Sequence, residues 1–337
     1  MIAYTLLLLS MLVAAAPPNA PIIGGTHPHT SIPFSRRVQP STGTIAEHDR
    51  ARAAQLYEMG KARASGQHAK RQNSLPITNQ VVTYVAEVGV GSPSTKYSLI
   101  IDTGSSNTWV GAGQHYTKTS TSRPTDQEVS VVYGSGFFIG YEVNDTITFT
   151  NDLVIANQSI GVAMASKGFK GVDGILGIGP TDLTGGTVNP DGSAIPTVTD
   201  NLLSQGRISE KVVGIHFAPS SKANDTNGEM TFGAADNSKT TGPIVFAPIT
   251  STSPSNEFFG IDQSITNAQT FPRALNSAIG GSAGVIYLVI GDLGQTGGSG
   301  LDFINGMSFL ERFYSVFDST NNQVGLATTA HTFDTTN

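Results

Sequence analysis

The sequence contains no cysteine, so no disulfide can staple it, and its 337 residues must be held together by an apolar core. Charge is scarce too: Asp, Glu, Lys and Arg together supply 13% of the residues. That scarcity, beside 38 glycines and frequent Ser, Thr, Val and Ile, predicts many short strands joined by turns and argues against a helical bundle. Long hydrophobic runs are missing as well. The apolar stretch from Leu6 to Val13 is too short to cross a bilayer core of about 30 Å, which excludes a helical membrane anchor there. The length favours two domains over one.

What is present at the start reads as an address. The run Leu6 to Val13, followed by Ala14-Ala15-Ala16, has the apolar core and small-residue cleavage site of a secretory signal over residues 1–16, although no Lys or Arg precedes it. A secreted, extracellular protein is expected. Sequons at Asn144, Asn157 and Asn224 agree with that route without establishing it.

Charge is also uneven. Residues 17–71 hold eight Lys or Arg (Arg36, Arg37, Arg50, Arg52, Lys61, Arg63, Lys70, Arg71) against Glu47, Asp49 and Glu58, a net of +5. The remaining eleven basic and 22 acidic residues give −11. A basic leader on an acidic body suggests electrostatic docking, with release when carboxylates protonate. Glu47 to Ala64 is rich in Ala, Arg, Leu and Glu and predicts a helix; Lys70-Arg71 ends the leader as a dibasic processing site. A disordered basic linker is the plainer alternative. His27 and His29 have no acidic or Cys partners in the leader and read as solvated, so neither metal nor cofactor is expected. The acidic body and the missing spanning segment argue against nucleic acid and membrane as partners.

After Pro76 the pattern turns strand-like through Val81, Val82, Tyr84, Val85, Val88 and Val90, with a turn at Gly91-Ser92-Pro93. A second run, Tyr97 to Ile101, ends in Asp102-Thr103-Gly104-Ser105. A carboxylate at the end of an apolar strand is costly to bury without partners. Gly104 permits close backbone approach, and the Thr103 and Ser105 hydroxyls can bond locally. This segment resembles the first active-site motif of the pepsin family of aspartic proteases and is similar to the fungal polyporopepsin type, over nearly all the chain after the leader. The resemblance implies an all-β, bilobal fold and a monomer that cleaves peptides or proteins and carries its own propeptide at 17–71. It implies that Asp102 is a catalytic carboxylate, Ser105 its supporting hydroxyl, and Thr103 half of an interlobe hydrogen-bonded grip. Val132 to Gly136 resembles the flap hairpin, where Tyr133, Gly134 and Ser135 would lie over bound peptide and Trp109 would hydrogen-bond Tyr133. Gly171 to Gly179 resembles the strand threading beside the first catalytic loop, with Asp173 structural. The first lobe is then complete over 77–240.

The second lobe, 241–337, is not. The chemistry needs two carboxylates sharing a proton, and no second Asp-Thr-Gly or Asp-Ser-Gly follows. Phe258 to Thr266 resembles the lead-in to that motif, with Asp262 on a strand and Gln263-Ser264 unable to make the turn. Asn267 to Asn276 resembles a region well downstream, which places a seam near Thr266 and Asn267. Asp292, in Val289-Ile290-Gly291-Asp292-Leu293-Gly294, is a decoy with Leu where a hydroxyl residue belongs; Asp302 and Asp318 also fall on non-catalytic positions. Leu301 to Asp318 and Val324 to Ala327 resemble the closing helix and strands, and Ile304-Asn305-Gly306 a threading strand without its partner. Three readings follow: an endopeptidase impaired by the missing Asp, a non-catalytic peptide binder, or a splice or gene-model variant of an active enzyme.

Overall fold

The computed structural model describes residues 29–38, 45–66, 82–134, 136–190, 192–220, 224–263, 293–294 and 297–334. The signal segment, His27, Lys70-Arg71, Ser135, the seam at Thr266–Asn267 and Asp292 lie outside them.

The fold is sheet-rich, as the Gly-, Thr- and Val-rich composition predicts. Among the described residues fourteen strands run β1 (Thr30–Val38), β2 (Val82–Val90), β3 (Thr95–Asp102), β4 (Trp109–Val110), β5 (Arg123–Tyr133), β6 (Gly136–Thr148), β7 (Val154–Lys167), β8 (Gly174–Gly177), β9 (Val188–Asn189), β10 (Val212–Phe217), β11 (Asn224–Phe232), β12 (Val245–Pro248), β13 (Phe313–Asp318) and β14 (Gln323–Thr328). They join in one sheet in the order β12-β14-β13-β10-β11-β1-β2-β3-β8-β4-β7-β6-β5-β9. Among the described residues three α-helices complete the frame: α1 (Ile45–Ala64), α2 (Val198–Ser204) and α3 (Met307–Leu310). Helix α1 covers the predicted Glu47–Ala64, with Glu47 in its first turn and Lys61 and Arg63 in its last, each sign favourable to the helix dipole. A Thr197–Asp200 capping box starts α2.

Strand β1 is the element that the leader's composition did not announce. It pairs antiparallel with β11 (Ile32↔Met230) and with β2 (Phe34↔Ala86), so it joins the two halves of the sheet. Its alternation explains the placement. Ile32 and Phe34 are buried in the main core with Val213, Ile215, Phe217, Met230 and Phe232. Phe34 stands edge-on to Phe217 at 4.7 Å and to Tyr84 at 5.8 Å. Arg36, in the same strand, is buried with its guanidinium 3.8 Å from Glu311, which also accepts a 2.8 Å hydrogen bond from Tyr84. Strand β1 is part of the core.

Three expectations need correction. Asp262 lies on no strand, because residues 260–263 make no ladder with a neighbour, and its carboxylate accepts from Thr250 instead. His29 does have an acidic neighbour, Asp236 at 3.8 Å, because the β1–β11 register carries Thr30 to Phe232 and the loop beyond it. Residues 301–306 form no strand, so Ile304-Asn305-Gly306 threads nothing here; Asn305 instead donates to Gln263. A strand needs a neighbour to satisfy its backbone groups. The closing segment otherwise forms α3, β13 and β14 as read.

Candidate active site

Asp102 ends β3, and the parallel neighbour β8 holds it in register: Leu99↔Gly174, Ile100↔Ile175, Ile101↔Leu176 and Asp102↔Gly177. On its other side β8 pairs antiparallel with β4, so Gly174–Gly177 threads between the strand that delivers Asp102 and the one that starts at Trp109. The loop 103–108 closes over this thread through Ile178 N–H to Asp102 O at 3.0 Å and Gly179 N–H to Ser105 O at 2.9 Å. Gly177 is required here, since a Cβ would lie 2.4 Å from the Ser106 carbonyl carbon. Asp173 is structural as read: its carboxylate accepts from the backbone N–H of Ser98 and of Gln114.

The Asp102 carboxylate is 4% exposed and meets three donors. Ser105 Oγ–H donates to Oδ2 at 2.6 Å, Gly104 N–H to Oδ1 at 3.0 Å, and the Arg52 guanidinium to Oδ1 at 2.5 Å. Burial by itself raises the Asp102 pKa, but the Arg52 charge and the Ser105 and Gly104 hydrogen bonds outweigh it and hold the group below the usual carboxylate range. Among the described residues no carboxylate hydrogen-bonds to Asp102. Asp262 accepts from Thr250, Asp302 from the N–H groups of Gly298 and Ser299, and Asp318 from Asn321 and Gln323. Thr103 makes no side-chain hydrogen bond among the described residues.

Strands β5 and β6 form a hairpin with Tyr133 paired to Gly136, and Tyr133 and Gly134 stand at its tip. Trp109 stacks on Phe138 at 4.3 Å and lies 6.4 Å from the Tyr133 ring, with Phe169 edge-on to both. This aromatic block, with Val129, Val131 and Ile175, is a second core that supports the hairpin. The Trp109 Nε1–H and the Tyr133 hydroxyl are both buried and share no hydrogen bond of good geometry. Burial and the nearby Asp102 charge push the Tyr133 phenol well up, and the Trp109 N–H offsets part of this.

The space beneath the hairpin holds helix α1. Gln55 donates to the Val132 carbonyl, and Arg63 forks onto the carbonyls of Asp182, Leu183 (2.7 Å) and Gly185 (3.1 Å). Arg52, Gln55 and Arg63 of the leader are what sequence reading missed at the site. Their signal was present: Arg52 and Gln55 sit one turn apart on a predicted helix and so share a face. No group of three or more His, Cys, Asp or Glu suited to a metal occurs among the described residues, and no helix among them is long and apolar enough to cross a membrane.

Comparison with known proteins agrees with this geometry. The sequence profile described as eukaryotic aspartyl protease matches residues 83–278. Polyporopepsin from Irpex lacteus is 47% identical over 338 residues, covering 78% of this chain and 99% of its own. A probable aspartic-type endopeptidase CTSD from Arthroderma benhamiae is 35% identical over 192 residues, covering 52% of this chain and 36% of that protein. Among solved structures, that of the aspartic proteinase from Irpex lacteus matches with a TM-score of 0.73 and 40% identity, over 92% of this chain and 100% of that one.

Proposed function

The chain belongs to the eukaryotic aspartyl proteases of the pepsin type, and from that premise we propose that it is a secreted endopeptidase precursor, catalytically impaired because it lacks the second Asp. The observation that carries this reading is the company of Asp102: Arg52, Ser105 and Gly104, with no carboxylate among the described residues. In the paired chemistry one carboxylate is ionised and takes a proton from the attacking water, while the other, neutral, protonates the substrate carbonyl. A lone Asp102 can act as base or as acid, but not as both at once. Ser105 and Gly104 orient it, and the Tyr133–Gly134 tip would close over an extended peptide.

Residues 17–71 act in this proposal as a propeptide. Arg52 neutralises the carboxylate that a peptide bond would approach, and α1 fills the space a substrate would need. The protein is taken as a monomer with peptide or protein as its partner.

A second reading is that the sequence is a splice or gene-model variant of an active enzyme, and the alignment favours it. Since 78% of 337 residues is about 263, roughly 75 of the 338 positions aligned with polyporopepsin have no counterpart here. Transcript sequencing across Thr266 and Asn267 tests it, and a longer product would establish it. For the chain as it stands, the test is peptide hydrolysis at about pH 3–5 after removal of the leader, beside Asp102→Asn. No turnover by either protein is expected; turnover abolished by Asp102→Asn would overturn the impaired reading. Peptide binding without turnover would assign the chain to the non-catalytic binders.

A further inference from the structure

We infer that the leader of this chain is a permanent ligand of its own body, retained as a separate fragment after the connecting segment is cut and retained again in acid. The inference rests on the propeptide reading above but departs from the release on carboxylate protonation that the charge pattern suggests.

Release by acid requires that the contacts holding the leader titrate, and most of them do not. Arg36 donates to the Ser220 carbonyl, Arg37 to the Gly171 carbonyl, Gln55 to the Val132 carbonyl, and Arg63 to the carbonyls of Asp182, Leu183 and Gly185. A backbone carbonyl accepts equally well at neutral and at acid pH. The same holds for the ladders of β1 with β11 and β2, and for Ile32, Phe34 and Ala53, all buried apolar residues of the leader. Gly60 of α1 packs against Pro254 and Phe258, so the helix also reaches the second lobe.

Several leader contacts do face titrating groups; where Ser31 meets Glu229 and Arg63 meets the charges of Glu257 and Asp182, the β1 ladder and the carbonyls around Arg63 remain when those carboxylates protonate. Arg37 meets Glu87, an exposed pair of small effect. His29 meets Asp236, whose carboxylate is held below its usual range, against burial, by the Ser238 hydrogen bonds with His29 and Lys239 adding to the effect. Arg36 meets the buried Glu311, which Tyr84 and Arg312 also face; if Glu311 protonates, Arg36 keeps the Ser220 carbonyl.

At the site itself Arg52 meets Asp102, around which stand Ser105 and Gly104 of the same loop, Tyr133 of the flap and Asp49 of α1. In a site with two catalytic carboxylates, one would hold a proton and weaken its grip on the cation. Here the single catalytic-motif carboxylate has three donors; Asp49 of α1 also faces Arg52, but it belongs to the leader and moves with it. The Arg52 contact therefore persists below the ordinary carboxylate range, where release would have to occur.

The test uses the full chain with a sequence-specific protease site inserted after Arg71. After cutting, the mixture is run by size exclusion with mass spectrometry of each peak at about pH 7 and about pH 3. The leader fragment is expected to co-elute one-to-one with the body at both values. Its separation at either pH overturns the inference, whether the freed body stays soluble or aggregates. Peptide turnover is assayed on the same samples. A released leader with an inert body sinks this inference alone; a retained leader with turnover sinks the impaired reading alone.

Discussion

Gly134, at the tip of the flap hairpin, rests so closely on Arg52 of the leader helix that a Cβ on Gly134 would lie 2.4 Å from the Arg52 Cα and 2.8 Å from its N. Backbone meets backbone there, so neither side can rotate a side chain out of the way. The contact places the guanidinium on Asp102 while Gln55, one turn on, holds the Val132 carbonyl.

Gly134→Ala should therefore push flap and helix apart. The expected cost is about 1–3 kcal/mol of stability, as for other overpacking substitutions. Thermal unfolding measures it, and hydrogen exchange should show the gain in opening concentrated in residues 45–64. Unchanged exchange in the helix would mean that the flap alone gives way.

Asp102→Asn keeps the shape of the site and removes the charge that faces Arg52. The Arg52 side chain is 33% exposed, so water screens part of the loss, and about 1–2 kcal/mol is expected at neutral pH. The pH dependence is more diagnostic. A carboxylate held below its usual range stabilises the fold at neutral pH and loses that contribution as pH falls through its lowered folded value. Melting temperatures followed from about pH 5 to about pH 2 should fall less in the Asn variant.

Glu142 behaves in the opposite sense. It is 2% exposed, its only polar side-chain partner among the described residues is Ser159 Oγ–H at 2.6 Å, and burial pushes its pKa to about 7. The unfolded chain releases this proton at a lower pH than the folded one, so its contribution is full below the usual glutamate range. It is lost as pH rises to about 7. Glu142→Gln should remove that loss, up to about 3 kcal/mol near neutral pH. Denaturant titrations at acid and neutral pH measure the difference, and parallel pH profiles for the two proteins would refute it.

Phe34→Ala tests whether the leader strand is core. Phe34 is 1% exposed between Phe217 and Tyr84, so its removal should cost about 3–5 kcal/mol, as at other buried Phe positions. A loosely tethered leader would show almost no change in denaturant midpoint.

Much of this architecture was legible in the sequence because short-range patterns produce it. The alternating run into Asp102, the turn at Gly91, the hairpin around Gly134 and the helix over Glu47–Ala64 each depend on residues close together along the chain. Strand β1 was not legible: Thr30–Val38 contains Pro33 and the pair Arg36-Arg37, which weakens a strand pattern, and only the facing edges of β2 and β11 make it one. The neighbour of His29 was hidden for the same reason, since Asp236 is 207 positions away.

The sequence by itself determined that one Asp-Thr-Gly-Ser loop ends an apolar strand, that a basic leader precedes an acidic body, and that no second such loop follows. These are facts of composition and local order, and no folding can supply a residue the chain does not contain. Only the tertiary structure decided what Asp102 faces. Its Oδ1 meets Arg52, fifty residues earlier, because β1 is locked into the sheet and carries α1 under the flap. Charge pattern can bring a leader to a surface, but long-range packing selects which cation reaches the one carboxylate and which contacts depend on pH.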